Sequence, residues 1–273
     1  MITAILGISS SSRAQVYSQD YVQVWSDEFD KDGPPDSAVW RFEKGFVRNN
    51  EAQWYQSENA VCKNGFLMIE ARRDSIINPM FVPGSSNWKR NRAYAFYTSS
   101  SINTKGLKDW LYGRFELRAK IDIHPGCWPA WWMLGSGDKG WPDNGEIDIM
   151  EYYKGKVLAN FAVATEKPYT PLWFSNTVPV ANFGKGWADS FHVWRMDWDE
   201  NGIGIFLDDS LINFQPQNNL YNHKEGNDYF PFKQKQYMLL NLAIGGDNGG
   251  SPDATSFPRF FQIDYVRVYQ KRK

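Results

Sequence analysis

The segment from Glu146 to Glu151 constrains this chain most, because it places three acids within six residues of otherwise apolar sequence. Acidic and aliphatic residues alternate over residues 146–149, which is the period-two pattern of a strand with one buried face. Glu146 and Asp148 are therefore expected on the same face. Glu151 has the wrong parity for a regular strand, but an extra residue near Met150, forming a β-bulge, would return it to that face. The sequence predicts three carboxyl groups crowded on one face of a sheet.

Such crowding is costly, because like charges at close range disfavour the ionisation of at least one carboxyl group. Retaining glycoside hydrolysis uses this arrangement: one carboxylate attacks the anomeric carbon, and a second carboxyl group, roughly 5–5.5 Å away, protonates the leaving oxygen. We predict Glu146 as the nucleophile and Glu151 as the acid/base. Asp148 is expected to hydrogen-bond the nucleophile and to help keep the acid protonated. The alternatives are an edge strand with solvated acids and a site for a hard cation.

The acid motif at residues 145–152 resembles the signature of glycoside hydrolase family 16 in its bulged E-x-D-x-x-E form. Seven further motifs match landmarks of that family in the same order, at residues 25–29, 49–51, 64–67, 112–116, 128–132, 241–246 and 264–269. The bulged form is similar to the laminarinase-like branch. The resemblance implies a retaining, endo-acting hydrolase of a neutral β-glucan, with β-1,3 or mixed β-1,3-1,4 linkages.

The remaining sequence has the pattern of an all-β protein. Short alternating runs, separated by turn-forming segments, predict strands at residues 67–72, 100–104, 113–121, 146–152, 191–198, 203–207, 237–243 and 261–269. We predict an antiparallel β-sandwich jelly roll with the acidic strand in the middle of a concave sheet that forms the substrate cleft. Residues 1–20 are predicted to be a leader or a truncated secretion signal, and residues 21–271 the catalytic domain.

Aromatic residues make up 16% of the chain, and their rings suit the apolar faces of sugars. Strand parity places Trp128 and Trp132 on one face and Trp131 on the other. The resemblance implies that Trp128 and Trp132 line the sugar subsites, and that Asn50 and Trp54 border the non-reducing side of the cleft. An Asn amide suits pairs of sugar hydroxyls, because it both donates and accepts hydrogen bonds. The alternatives are core roles for the tryptophans and a loop cap for Asn50.

Two features depart from the family pattern. Many laminarinases carry a His on the strand after the acids, whereas residues 158–164 contain none, and Asn160 is the candidate for its role. The basic loop at residues 87–94 contains Lys89 and Arg92, which could meet a sulfate or carboxylate group or hydrogen-bond neutral hydroxyls. This loop keeps open an agarase- or porphyranase-like hydrolase of an algal galactan.

The formal net charge of −1 argues against general attraction to nucleic acid or anionic membranes, and favours a neutral polysaccharide as the partner. Cys62 and Cys127 cannot form a disulfide framework, and we expect two buried thiols, with a single pairing as the alternative. No stretch has the length and apolarity of a membrane span. We expect a monomer that needs no cofactor for catalysis and is secreted, periplasmic or at the cell surface.

The resemblance also implies a structural calcium ion far from the acids, with Glu28, Gly65 and Asp264 at the matching positions. Calcium prefers several hard oxygen ligands, including backbone carbonyls. The alternative for Asp264 is a hydrogen bond to the neighbouring strand. The same jelly roll serves in non-catalytic carbohydrate-binding modules, which the presence of all three acids disfavours. Transglycosylation through the same covalent intermediate and exo action stay open.

Overall fold

The computed structural model describes residues 21–224 and 229–272, so the leader predicted at residues 1–20 lies outside the described residues. The strands, numbered in chain order, are β1 Tyr21–Asp27, β2 Arg41–Phe42, β3 Gln53–Tyr55, β4 Ala60–Lys63, β5 Phe66–Ile77, β6 Tyr94–Ser99, β7 Ser101–Asn103, β8 Gly113–Lys120, β9 Cys127–Gly135, β10 Glu146–Tyr153, β11 Lys156–Ala164, β12 Pro171–Pro179, β13 His192–Trp198, β14 Gly202–Leu207, β15 Ser210–Pro216, β16 Gln236–Ile244 and β17 Arg259–Lys271. A single helical turn, α1, spans Gly246–Gly249. Short 3-10 turns occupy Ser57–Asn59, Val180–Phe183, Trp187–Asp189, Gln217–Asn219 and Pro231–Lys233.

The strands form two sheets. The seven-stranded sheet has the order β12-β11-β10-β9-β16-β7-β2. The ten-stranded sheet has the order β15-β14-β13-β8-β17-β5-β6-β3, with β1 beside β17 and β4 beside β5. Neighbouring strands are antiparallel except β3 and β6, which are parallel. The predicted all-β sandwich is confirmed, and β10, the strand with the acids, lies in the interior of the seven-stranded sheet.

The hydrophobic core lies between the two sheets and draws on both. Trp131 of β9 is fully buried there, on the face opposite Trp128 and Trp132, as strand parity predicted. Trp194 and Trp198 of β13 fill the core from the ten-stranded sheet. Aromatic side chains bury a large area at a small cost in rotamer freedom. The core therefore accounts for part of the aromatic content.

Cys62 and Cys127 are both free and buried, so the prediction of two thiols is confirmed. Burial raises the pKa of the Cys62 thiol to about 12, and it also raises the pKa of Cys127. Both side chains are therefore uncharged at neutral pH and pack as small apolar groups. Among the helices of the described residues, none has the length and apolar character needed to cross a membrane.

Candidate active site

The three acids share one face of β10 because the strand contains a bulge. The pairing of β10 with β9 skips one residue between Asp148 and Met150. Ile149 is the extra residue, and both Ile149 and Met150 belong to the core between the sheets. Glu151 consequently lines the same cavity as Glu146 and Asp148. The predicted bulge is confirmed.

Gly145 sets the entry of the chain into β10. Its φ of 73° lies in the left-handed region, which L side chains rarely adopt. A Cβ atom at this position would lie 2.7 Å from the Cβ of Pro231 and 2.8 Å from the ring of Phe232. Only glycine therefore lets the preceding loop turn directly into the strand that begins with Glu146.

A cavity of about 740 Å³ lies over this face of the seven-stranded sheet. Its aromatic side chains are those of Trp128, Trp132, Trp141, Tyr153 and Trp173. Its other polar and charged side chains are those of Arg48, Asn49, Glu51, Asn160, Ser175, Thr177, Asn241 and Asn248. An aromatic cavity with a few convergent polar groups is the usual form of a small-ligand or oligosaccharide site.

Glu146 is surrounded by groups that favour its ionised form. The indole Nε1 of Trp141 donates a hydrogen bond of 2.5 Å to Glu146 Oε2. A second hydrogen bond joins the carboxyl groups of Asp148 and Glu146, and it lowers the pKa of Glu146 while raising that of Asp148. The proton therefore resides on Asp148, which donates to Glu146. The positive charge of Arg48 lowers the pKa of Glu146 further.

Glu151 is held by two donors. The indole Nε1 of Trp128 donates to Glu151 Oε1 at 2.7 Å. The amide Nδ2 of Asn160 lies 3.1 Å from Glu151 Oε2 and 3.1 Å from Asp148 Oδ2, so it connects the two carboxyl groups. Asn160 stands directly opposite Asp148 in the pairing of β10 with β11. Asn160 thus contacts the acids, and its place in the cleft is that of a residue positioning them.

Burial and neighbouring charges raise the pKa values of all three acids. Burial raises the pKa of Glu151 to about 8, assisted by the charge of Glu146 and opposed by the hydrogen bond from Trp128. Burial, followed by the charges of Glu146 and Glu151, raises the pKa of Asp148 well above its usual range. Burial also raises the pKa of Glu146, but its three favourable partners oppose the shift. At neutral pH a pKa of about 8 favours a proton on Glu151, while the hydrogen bonds from Asp148 and Trp141 and the charge of Arg48 favour the ionised form of Glu146.

Trp128 and Trp132 line the cavity, but they are more deeply packed than an open sugar platform. Their side chains are 4% and 8% exposed. Trp132 packs against Tyr237 and Leu239 on the cleft face of the sheet, and its Nε1 donates to Asn241 Oδ1 at 2.7 Å. We expected these tryptophans to serve the substrate rather than the core. Both tryptophans line the cleft and are also buried, because the side chains on the sheet face under the cleft are closely packed.

Replacing Trp132 by alanine is accordingly expected to cost stability as well as activity. The change removes a buried ring and leaves Asn241 Oδ1 without its donor, so the free energy of unfolding should fall by about 3 kcal/mol. Trp141→Ala is the matched comparison, because it also removes an indole that donates a hydrogen bond in the same cavity, but Trp141 is 38% exposed. Urea unfolding of both variants measures the difference. An unchanged unfolding midpoint for Trp132→Ala would show that Trp132 does not stabilise the fold, and would favour a role in substrate binding alone.

Asn50, Trp54 and Arg92 lie beside the cleft and are not part of its lining. Trp54 is 7% exposed and packs edge-on against Phe46, with ring centroids 5.6 Å apart. The guanidinium of Arg92 donates to the carbonyl oxygens of Glu51 and Asn50, at 2.7 and 3.0 Å, and to Asn50 Oδ1 at 2.8 Å. Through these hydrogen bonds, Arg92 stabilises the conformation of the segment at residues 49–51. The predicted contact of Arg92 and Asn50 with sugar is not tested by this geometry and stays a prediction.

Two of the residues expected to bind calcium have carboxylates that are paired with arginine. Arg267 donates two hydrogen bonds to the Glu28 carboxylate, at 2.9 and 2.7 Å, and Arg118 forms an ion pair with Asp264. A calcium ion would have to compete with a guanidinium for each carboxylate. Within residues 21–224 and 229–272, no cluster of three or more His, Cys, Asp or Glu side chains is arranged to hold a metal. The ligand set of Glu28, Gly65 and Asp264 is therefore not confirmed, and the structural calcium ion stays a prediction.

The cleft residues that sequence reasoning missed include Arg48, Trp141 and Trp173. Trp141 begins the acid motif, and Arg48 directly precedes the motif at residues 49–51, so proximity to a motif was the available signal. Trp173 lies on β12, where Leu172, Trp173 and Phe174 form an apolar run without alternation. Because such a run does not show the alternation that indicates a strand, β12 was not predicted.

A cleft across an antiparallel β-sandwich, with two buried glutamates on its floor and the pKa of one of them, Glu151, raised to about 8, is typical of a glycoside hydrolase. The family model for glycosyl hydrolases family 16 matches residues 48–267. The chain belongs to this family.

Similar proteins and structures match most of this chain. A beta-glucanase of Rhodothermus marinus is 36% identical over 90% of this chain and 84% of that protein. Glucan endo-1,3-beta-glucosidase A1 of Niallia circulans is 32% identical, over 91% of this chain but 38% of that longer protein. The laminarinase catalytic domain of Thermotoga maritima superposes with a TM-score of 0.77, at 32% identity, over 93% of this chain and all of that one. A structure from work on endo-acting O-glycanases of the human gut microbiota has a TM-score of 0.84, at 31% identity, over 94% and 93% of the two chains.

Proposed function

We propose that this chain is a retaining, endo-acting hydrolase of a neutral β-glucan, with β-1,3 or mixed β-1,3-1,4 linkages. The observation that carries the proposal is the placement of Glu146 and Glu151 on one face of a cleft, with different hydrogen-bond partners and with the pKa of Glu151 raised to about 8 by burial. Retaining glycosidases need one carboxylate that is ionised and one carboxyl group that is protonated. The glucanase and laminarinase relatives support β-glucan as the substrate class.

The reaction proceeds by two displacements. The Glu146 carboxylate attacks the anomeric carbon, while Glu151 donates its proton to the leaving glycosidic oxygen. This breaks the glycosidic bond and leaves an ester between Glu146 and the sugar. Glu151, now ionised, takes a proton from a water molecule that attacks the same carbon and releases Glu146. Asp148 supports the first step by keeping its hydrogen bond to Glu146, and Asn160 holds Glu151 in place.

A hydrolase of a galactose-containing glycan is the second candidate. The structure from work on endo-acting O-glycanases has a higher TM-score than the laminarinase named above. A keratan-sulfate endo-1,4-beta-galactosidase of Sphingobacterium multivorum is also 27% identical over 93% of this chain. An agarase- or porphyranase-like activity belongs to the same candidate class. Arg92 donates to main-chain carbonyls, which weakens the case for a contact between this side chain and a sulfate group.

A substrate panel distinguishes these candidates. Purified protein is incubated with laminarin, barley mixed-linkage glucan, agarose, porphyran, keratan sulfate and mucin O-glycans, and the products are sized over time. We expect oligosaccharides of several lengths to appear early from one or both β-glucans, which is the pattern of internal cleavage. Cleavage of the galactose-containing glycans alone would replace the proposal by the second candidate.

We also propose that the protein acts as a monomer outside the cytoplasm, because a polysaccharide of this class does not cross a membrane. Cell fractionation followed by activity measurement tests the location.

Sedimentation at micromolar concentration tests the oligomeric state. Activity confined to the cytoplasmic fraction, or a sedimenting dimer, would contradict the respective half of this proposal.

A further inference from the structure

Trp173 occupies an unusual place in the cleft. It lies on β12, the strand at one edge of the seven-stranded sheet, and it lines the cavity above the acids. Its side chain is 42% exposed, whereas Trp128 and Trp132 in the same cavity are already buried. A half-exposed indole at the rim of a cavity still has apolar area to cover when a ligand binds. Trp173 is therefore an aromatic side chain of this cleft with a large surface left for a sugar.

The strand register fixes how far Trp173 lies from the acids. Each acid on β10 pairs with a residue of β11, which in turn pairs with a residue of β12. Glu146 aligns in this way with Ala162 and Trp173, Asp148 with Asn160 and Ser175, and Glu151 with Leu158 and Thr177. Each acid therefore has one partner on β12, two strands away. Two strand spacings amount to about 10 Å. A pyranose ring is shorter than that distance, so a sugar stacked over Trp173 on β12 is expected to be a different unit from the one centred over Glu146.

Ser175 and Thr177 extend this surface along β12. Both side chains are exposed, and both line the cavity on the same face as Trp173. A hydroxyl group both donates and accepts hydrogen bonds, which suits the neutral hydroxyls of a sugar. The three residues combine one ring for an apolar sugar face with two hydroxyls for its polar edge. This combination is suited to an uncharged sugar unit.

We propose that Trp173, with Ser175 and Thr177, binds a sugar unit of the substrate other than the one attacked by Glu146. Trp173 is thereby a specificity-determining residue that sets the substrate length needed for full activity. The inference rests on the proposed polysaccharide hydrolysis. A long chain that crosses the sheet covers Trp173, and an oligosaccharide too short to extend from Glu146 to β12 does not.

Chain-length dependence tests this assignment. For Trp173→Ala we expect kcat/KM on laminarin or mixed-linkage glucan to fall by about tenfold, mainly through a higher KM, since truncation of an aromatic anchor usually costs at least that much affinity. The smallest oligosaccharide that wild type cleaves should be cleaved at an unchanged rate. Trp173→Phe should restore most of the activity on the polymer, because it keeps a flat apolar ring.

Leu172→Ala is the matched control. Leu172 precedes Trp173 on the same edge strand, is similarly exposed at 38%, and points to the other face. It should leave both substrates unaffected, and all three variants should melt within a few degrees of wild type. Equal losses of Trp173→Ala on polymer and oligosaccharide, or no loss on the polymer, would overturn the inference. If wild type cleaves no β-glucan, the proposed substrate fails, and the same variants are compared on the polysaccharide that it does cleave.

Discussion

Replacing Glu146 by serine is expected to lower kcat by at least about 10⁴-fold, because loss of the nucleophile of a covalent mechanism leaves little catalysis. The variant should still bind oligosaccharide, since the cleft and its aromatic residues are unchanged, and calorimetry measures that binding. Glu166→Ser is the control, because Glu166 is an exposed acid outside the lining of the cavity. Turnover of Glu146→Ser near the wild-type rate would remove Glu146 from the role of nucleophile.

An external nucleophile separates the roles of the two glutamates. If Glu146 is the nucleophile, azide can enter the space of the missing carboxylate in a small variant and attack the anomeric carbon directly. That single displacement inverts the configuration and gives an α-glycosyl azide from a β-linked substrate. Azide acting in a Glu151 variant would instead attack the glycosyl ester and give the β-glycosyl azide. A β-glycosyl azide from the Glu146 variant and an α-glycosyl azide from the Glu151 variant would mean that Glu151 is the nucleophile and Glu146 the acid/base.

Replacing Glu151 by glutamine is expected to lower kcat on a polysaccharide by about 10²–10⁴-fold, the usual contribution of a general acid. The loss should be much smaller for formation of the glycosyl-enzyme from an aryl glycoside with a good leaving group, since such a group departs without a proton. A pre-steady-state burst measures that step. An equal loss on both substrates would argue against Glu151 as the acid.

The pH profile follows from the same group. Glu151 must be protonated to act as an acid, and its pKa is raised to about 8, so kcat/KM of wild type should fall as the pH rises through about 8. Glu151→Gln should lack this alkaline limb. Because the folded-state pKa lies above the unfolded value, ionisation of Glu151 destabilises the fold as pH rises from its unfolded pKa to about 8. Above that pH, Glu151→Gln should melt at a higher temperature than wild type.

Local patterns were sufficient to predict the centre of the site. The alternation of acids and aliphatic residues on β10, and the wrong parity of Glu151, together specified the bulge that the structure contains. Parity likewise placed Trp131 in the core. These features depend on neighbours within a few residues along the chain, which a sequence displays directly.

Features that depend on long-range contacts were not predictable. The partners of Arg92 are the carbonyls of Asn50 and Glu51, about forty positions earlier in the chain, and backbone acceptors carry no sequence signal. The edge strand with Trp173 was missed because its apolar run lacks alternation. The packing of Trp132 against Tyr237 and Leu239 depends on the pairing of β9 with β16, about a hundred residues apart.

The anomeric configuration of the first product tests the central claim most directly. Proton NMR during the first minutes of cleavage, before mutarotation, resolves the α and β signals of the new reducing end. Two displacements at the same carbon retain the configuration, so the account predicts that the β-anomer of a β-glucan product appears first and the α-anomer follows slowly. Initial appearance of the α-anomer would mean a single displacement by water, and would contradict the assignment of Glu146 as a covalent nucleophile.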